Sequence, residues 1–328
     1  MTITSDASAP LVVVGGSTGQ QGGSVIRALQ ESDKAYRIRG LTCDISKPSA
    51  KAFAEQGVEM LSVNLVVENK AQVVEAYEGA TIVFAMTNFW EHLDKEKELA
   101  EGKMFIDAAL EAKIPLFIFS SLGSIAEHSG GKYKKVHHFE SKAQIASYGH
   151  SKASPSFTFV VVQAGFYYTN LTGNQIIRPQ GDGTWAAALP CKSDALVPGI
   201  DIDEFGLWVR AVIEHEELRD GRELLTCCSQ EMSIGEMVDE IAKSICIPAR
   251  FITIVNNDEF RKAMPEGTPE HVKDALVECW NALSEIGLNY NREDVTRLLP
   301  YLSRKTTMFA DWVKKKDMPE YGKRGLTS

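Results

Sequence analysis

The chain has 328 residues, 44% hydrophobic and 24% charged, enough for a sizeable core and unlike a disordered, collagen-like or coiled-coil polypeptide. Its net charge of −9 argues against direct nucleic-acid binding, which usually needs a basic face. The six cysteines show no CxxC pairing and no histidine at zinc spacing, so free thiols are expected, with no metal site and no disulfide framework.

Met1–Pro10 is short, polar and without an apolar signal core, and no run approaches the length of a membrane span. A cytoplasmic protein is expected, with the nucleus as a second location. Leu11–Gly15 reads as a buried strand, followed by a glycine-rich turn and a helix over Gly22–Glu31. Strands at Arg37–Thr42, Val58–Val63, Thr81–Ala85, Leu116–Ser121 and Phe157–Gln163 then alternate with helices at Ser49–Gln56, Lys70–Tyr77, Asp94–Ala112 and His137–Tyr148. Strand–helix alternation at this spacing predicts right-handed crossovers and a parallel sheet covered on both faces.

The pattern loosens after Gly165. Asn174–Pro198 is rich in Gly, Pro, Asp and aromatics with no clear period. Phe205–His215 reads as a helix and Glu223–Cys228 as a strand. Ser233 with Glu236 makes a capping box for a helix to about Ser244, Phe251–Val255 is a further strand, and the remainder is mostly helical. The basic residues Lys314, Lys315, Lys316, Lys323 and Arg324 read as a solvated end. The fold class expected is α/β, a Rossmann-type doubly wound parallel sheet with a smaller α/β C-terminal lobe. Residues 1–165 form the nucleotide-binding part, with 199–228 joining its sheet, and 166–198 with 229–328 form the smaller lobe.

Gly16, Ser17, Thr18, Gly19, Gln20, Gln21 and Gly22 lie between the first strand and the first helix, with Gly15 as an extra glycine. A pyrophosphate site needs glycine for a positive φ, for close backbone approach and for helix–strand packing. The helix N-terminus then offers free N–H groups and a positive dipole end. After the second strand, Asp44 stands where a carboxylate would take ribose hydroxyls, whereas Lys47, or less readily Lys51, would meet a 2′-phosphate. The residues alone leave NADP and NAD both open.

In this order the segments resemble the NmrA-like branch of the atypical short-chain dehydrogenase/reductases. Gly16–Gly22 looks like that family's nucleotide loop, and Thr87-Asn88-Phe89-Trp90-Glu91 like the stretch on the nicotinamide side. His138-Phe139-Glu140-Ser141-Lys142 looks like its active-site helix, and Gly165-Phe166-Tyr167 with Asn170 like the loop after its sixth strand. The likeness covers roughly residues 10 to 170 and continues more weakly to about 313. It departs at Cys43, where the family usually has an arginine for the 2′-phosphate.

The resemblance implies an NAD(P)-binding protein, with NADP as cofactor and NAD as the alternative. It implies a cofactor-responsive, redox-sensing regulator whose partner is a transcription factor or other regulatory protein. A sister group of working reductases supplies the alternative, an NAD(P)H-dependent oxidoreductase of a small carbonyl-like substrate. The usual Tyr-x-x-x-Lys pair is broken, because His138 stands where the tyrosine would and only Lys142 remains. Tyr133 and Tyr148 are out of register. Lys142 and His138 are therefore the catalytic candidates, His138 as a neutral imidazole or simply as a space-filler, and Lys142 also as a cofactor contact. Ser120 and Ser121 end the fifth strand, where they either meet a ligand or cap a turn. Phe89 and Trp90 either stack near the nicotinamide or pack in the core. His92, His128 and His137 read as ordinary loop or surface residues.

Overall fold

The computed structural model describes residues 3–173, 176–219, 224–288 and 295–316. In chain order the first half runs Leu11–Val14 (β1), Gln20–Gln30 (α1), Arg37–Thr42 (β2), Pro48–Glu55 (α2), Glu59–Ser62 (β3), Lys70–Tyr77 (α3) and Ile82–Met86 (β4). It continues with Phe89–His92 (α4), Lys95–Glu111 (α5), Leu116–Ser121 (β5), Ile125–His128 (α6), His137–Lys152 (α7) and Thr158–Gln163 (β6). These are the expected elements with ends shifted by a few residues, plus the short helices α4 and α6.

The second half comprises Phe166–Tyr167 (β7), Asn170–Gly173 (α8), Ile177–Pro179 (β8), Trp185–Leu189 (β9), Leu196–Ile200 (β10), Gly206–Glu214 (α9) and Leu225–Thr226 (β11). Gln230–Ser233 (β12), Ile234–Ile245 (α10), Ala249–Thr253 (β13), Asn257–Ala263 (α11), Glu270–Ile286 (α12) and Phe309–Lys315 (α13) complete it.

Seven strands form one sheet in the order β11-β6-β5-β4-β1-β2-β3, and every pairing in it is parallel. All four residues of β1 are buried, because helices cover both faces. Val12 and Val14 join the core under α1 and α9, and Leu11 and Val13 join the core under α3, α5 and α7. This is why a central strand reads as an unbroken apolar run.

Asn174–Pro198, where no period was legible, contains β8, β9 and the start of β10 among its described residues. They belong to two small sheets, β12-β10-β7 and β13-β9-β8. The strands are short, β9 is built on alanines, and Gly181 and Gly183 turn the chain with φ of +81 each, so no alternation could develop. The strand expected at Phe251–Val255 is Ala249–Thr253, with Val255 exposed. Of Glu223–Cys228, Glu223 lies outside the described residues and only Leu225–Thr226 pairs, beside β6. The Ser233–Glu236 capping box forms as expected. Lys314 and Lys316 pair with Asp311 and Asp203, while Lys323 and Arg324 lie outside the described residues.

Two helix contacts position the site. The helices α5 and α7 approach closely, since a Cβ on Gly102 would lie 2.3 Å from Ile145 Cδ1. On either side of that contact they meet in register, Glu98 against Ser141 and Asp107 against the Tyr148 hydroxyl at 2.7 Å. Helix α12 lies on the segment between α6 and α7. Ala282 packs with Ile125, Tyr133, Val136 and Phe139. At the rim Lys132 pairs with Glu285 at 2.5 Å, Lys135 Nζ with Asp274 at 2.9 Å, and the Lys135 N–H donates to Glu278 at 2.7 Å.

Gly102→Ala should lower stability by about 1–3 kcal/mol, the range for overpacking a tight contact. Equilibrium urea unfolding measures it, and an unchanged midpoint would mean that the two helices separate freely.

Candidate functional site

The glycine-rich turn is built on steric limits. Gly16 sits at φ +61, a conformation that residues with a Cβ avoid. A Cβ on Gly22 would lie 2.4 Å from the Gly16 carbonyl oxygen and 2.9 Å from that of Gly15, so α1 starts hard against the turn. Ser17 is fully buried, and its N–H and hydroxyl both donate to the Leu41 carbonyl, at 3.0 and 2.9 Å. The Thr18 and Thr42 hydroxyls share a hydrogen bond of 3.0 Å. Gly19 is the N-cap of α1 and brings no side-chain cap, which leaves the positive helix end available to an anion. Gln20 is exposed, whereas Gln21 Nε2 donates to the Tyr167 hydroxyl at 2.5 Å across the sheet edge. Burial pushes the Tyr167 phenol up to about 12. The left-handed Gly16, the bare N-cap at Gly19 and the absence of a side chain at Gly22 fit a pyrophosphate.

Beyond β2 the chain holds both signs of charge in one turn. Asp44 Oδ1 accepts the Ser46 hydroxyl at 2.6 Å and its N–H at 2.8 Å, which holds its carboxyl below the usual range. Lys47 is exposed at the N-cap of α2, and Cys43 and Lys51 are exposed as well.

The end of β4 and the start of α7 meet further along the same sheet edge. Thr87 and Phe89 are buried, Asn88 is exposed, and Trp90 is half-exposed. His138 is buried with its ring centroid 5.0 Å from that of Trp90 and 5.8 Å from that of Phe89. Burial, and then the Lys142 cation, pull its pKa down to about 3, so the ring is neutral at physiological pH. Its Nδ1 is buried without a hydrogen-bond partner.

Lys142 is held within the protein. Its Nζ donates to Glu98 Oε1 at 2.5 Å, to Thr87 Oγ1 at 2.7 Å and to the Thr87 carbonyl at 2.8 Å, which accounts for all three N–H groups. Thr87 in turn donates to Glu98 at 2.7 Å, Ser141 donates to the other carboxylate oxygen, and the Ser121 hydroxyl donates to the Lys142 carbonyl at 2.9 Å. Ser120 is buried beside them in β5. One turn further along α5, Glu101 pairs with His92 at 3.3 Å, and burial raises its carboxyl. His92 Nδ1 accepts the Asp94 N–H at 3.1 Å, which turns Nε2 toward Glu101. His92 is thus a half-buried member of the site's frame rather than an ordinary loop residue.

The structure brings Thr87, Phe89, His138 and Lys142 together and sets Asp44 and Lys47 beside the turn through Thr18 and Thr42. Tyr133 packs under α12 and Tyr148 binds Asp107. Sequence reasoning missed Glu98 and Glu101. Their signal was available, because they fall with Phe105 and Ala108 on one stripe of α5 at i, i+3, i+7 and i+10, so two carboxylates occupy its buried face. Among the described residues, no group of three or more His, Cys, Asp or Glu side chains could hold a metal ion, and no helix is long and apolar enough to cross a membrane.

Comparison with known proteins gives a family and a fold. The model of the NmrA-like family matches residues 8–321. The chain is 28% identical over 284 residues to cpsB, an NmrA-like family domain-containing oxidoreductase of Aspergillus campestris, covering 81% of each chain. It is 28% identical over 268 residues to malD, an oxidoreductase of the same description from Malbranchea aurantiaca, covering 76% of this chain and 77% of that one. Among solved structures it resembles NmrA, a negative transcriptional regulator, in complex with NADP, at TM-score 0.77 and 18% identity over 96% of this chain and 97% of that one. It also resembles an NADPH-dependent quinone oxidoreductase from Escherichia coli complexed with NADPH, at TM-score 0.72 and 18% identity over 93% of this chain and 99% of that one.

The neutral His138 carries a stability signature. Its folded-state pKa lies below the unfolded value, so as pH falls through about 6.5 the unfolded chain takes up a proton that the folded chain refuses. His138→Asn should therefore gain on the wild type as pH drops from 6.5 to 5, at up to about 1.4 kcal/mol per pH unit. Urea unfolding at a series of pH values tests this, and parallel curves would show that the ring protonates normally.

Proposed function

The chain belongs to the NmrA-like family, and we propose that it binds a nicotinamide dinucleotide at the Gly16–Gly22 turn and acts as a cofactor-responsive, redox-sensing regulator. The observation that carries the regulatory part is the state of the two catalytic candidates. Lys142 has its three N–H groups committed to Glu98 and Thr87, and His138 is a buried neutral ring, so neither side chain is poised to give a proton. The site binds without a built-in acid. The dinucleotide's pyrophosphate would lie at the N-terminus of α1, its adenosine ribose near Asp44 and Lys47, and its nicotinamide end over Thr87, Asn88 and Phe89.

NADP is the proposed cofactor and NAD the alternative. Lys47 lies exposed four residues after Cys43, where a 2′-phosphate could meet it, and NmrA was solved both with NADP and with NAD. A sensor must hold the oxidised and reduced forms unequally, or present them unequally to a partner. The partner is a transcription factor or another regulatory protein, and the net charge of −9 argues for protein rather than DNA contact.

The second reading is an NAD(P)H-dependent oxidoreductase of a small carbonyl-like substrate, favoured by the naming of cpsB and malD as oxidoreductases. When bound, the reduced dinucleotide supplies a hydride. His138 would then polarise the substrate carbonyl as a neutral imidazole, and Trp90 would lie against the substrate.

Calorimetric titration with NADP⁺, NADPH, NAD⁺ and NADH is the first test. Binding of none refutes both readings, and equal affinities for oxidised and reduced forms, with no partner that distinguishes them, refutes the sensor. Lys47→Ala should weaken the phosphorylated pair by about tenfold, the scale of one hydrogen bond to a charged group, and leave the unphosphorylated pair unchanged. Asp44→Ala should weaken the unphosphorylated pair more. For the second reading, turnover that survives Lys142→Ala and His138→Ala together would remove both residues from the chemistry.

A further inference from the structure

We infer that Glu98 is a positioning residue: its buried carboxylate holds the Lys142 ammonium against Thr87 and so fixes the β4–α5 segment that borders the nicotinamide end of the proposed site. The inference rests on the dinucleotide reading for its functional consequence, but its geometry stands without a ligand.

Glu98 has no exposed surface, and a buried charge persists only when it is paired and fully hydrogen-bonded. Here the pairing is complete. One carboxylate oxygen takes the Lys142 ammonium and the Thr87 hydroxyl, and the other takes the Ser141 hydroxyl. Three elements converge on the one side chain: α5 supplies Glu98, the end of β4 supplies Thr87, and α7 supplies Ser141 and Lys142.

The segment is gripped a second time one turn along α5. Glu101 holds His92 at 3.3 Å, Leu93 turns the chain at φ +58, and the Leu93 carbonyl lies 2.9 Å from Nε2 of His271 on α12. Between the two grips stand Asn88, Phe89 and Trp90. Trp90, half-exposed, lies against the His138 ring four residues before Lys142 on the same helix. A fault at Glu98 would therefore reach Trp90 by two routes, through Thr87 and through α7.

The arrangement gives Lys142 the role of a fixed cation that anchors the site's edge, with no N–H left for a substrate. The titratable groups that face it are Glu98 from α5 and His138 on its own helix. Thr87, Ser121 and Ser141 complete its surroundings and do not titrate in the working range. Burial lowers the Lys142 pKa and Glu98 raises it again. Without Glu98 only the lowering remains, and the ammonium is lost at a lower pH.

The test uses the full-length Glu98→Gln protein with Thr87→Val as a milder companion, which removes only the bridging hydroxyl. Acrylamide quenching isolates the Trp90 emission by difference from Trp90→Phe, and calorimetry measures NADPH affinity between pH 6 and 9. Glu98→Gln should raise the quenching of the already half-exposed Trp90 above the wild-type level and weaken NADPH about tenfold, the scale of one hydrogen bond to a charged group. Its affinity should begin to fall at lower pH than in the wild type, and Lys142→Met in the same protein should abolish that difference. A generally loosened fold would lower affinity without moving the pH profile. If both variants match the wild type in quenching, affinity and pH profile, the inference is overturned. Should Glu98→Gln fail to fold, Thr87→Val decides, with wild-type quenching and affinity overturning it. If the wild-type protein binds no dinucleotide, the proposed function fails, and Trp90 quenching alone then decides whether Glu98 holds the segment.

Discussion

A carboxylate buried without water obliges its surroundings to supply every partner it needs. Glu98 imposes that constraint on three elements at once, since the end of β4 and α7 must each bring its donors into register with the carboxylate that α5 carries. Gly102 lets α5 and α7 come close enough to meet it, and the in-register contacts at Ser141, Ile145 and Tyr148 follow from that approach. The pair itself is weak evidence for stability, because desolvation offsets much of its attraction, yet losing one partner leaves an uncompensated charge. Its structural effect is to admit a single arrangement of the sheet edge where Thr87, His138 and Lys142 converge.

The other end of the sheet edge is governed by a steric rule. Gly22 cannot carry a side chain without striking the Gly16 carbonyl, so the first turn of the first helix packs hard against the loop that leaves the first strand. Ser17 then ties the turn to Leu41 and Thr18 ties it to Thr42, which brings the end of β2, with Asp44 and Lys47, beside the helix N-terminus. Backbone geometry thus shapes the end proposed for the phosphates, and a charge network shapes the end proposed for the nicotinamide.

Legibility in the sequence followed the same division. The parallel sheet was readable because central strands such as Leu-Val-Val-Val are buried on both faces and their helices recur at crossover spacing. The turn was readable because its glycines answer local steric demands. Strands β8 and β9 were not, since Trp185–Leu189 is mostly alanine, β8 is only three residues long, and the other partner of β9, Ala249–Thr253, is remote in the chain. Glu98 was written into the buried stripe of α5 but was not singled out, because a helix carboxylate ordinarily faces solvent. His92 was read as a loop residue for a similar reason, since its partner Glu101 sits nine positions away on another element.

Helix α12 fastens the segment between α6 and α7 in two chemically different ways. Its apolar side, through Ala282, is packed on Ile125, Val136 and Phe139, whereas its rim is tied by the exposed pairs of Lys132 with Glu285 and Lys135 with Asp274. Exposed pairs of this kind contribute little, and what they contribute falls as salt rises. Rising salt would therefore weaken the rim pairs while leaving the apolar seat intact, so the hold of α12 on this edge rests on its apolar side and changes little with ionic strength.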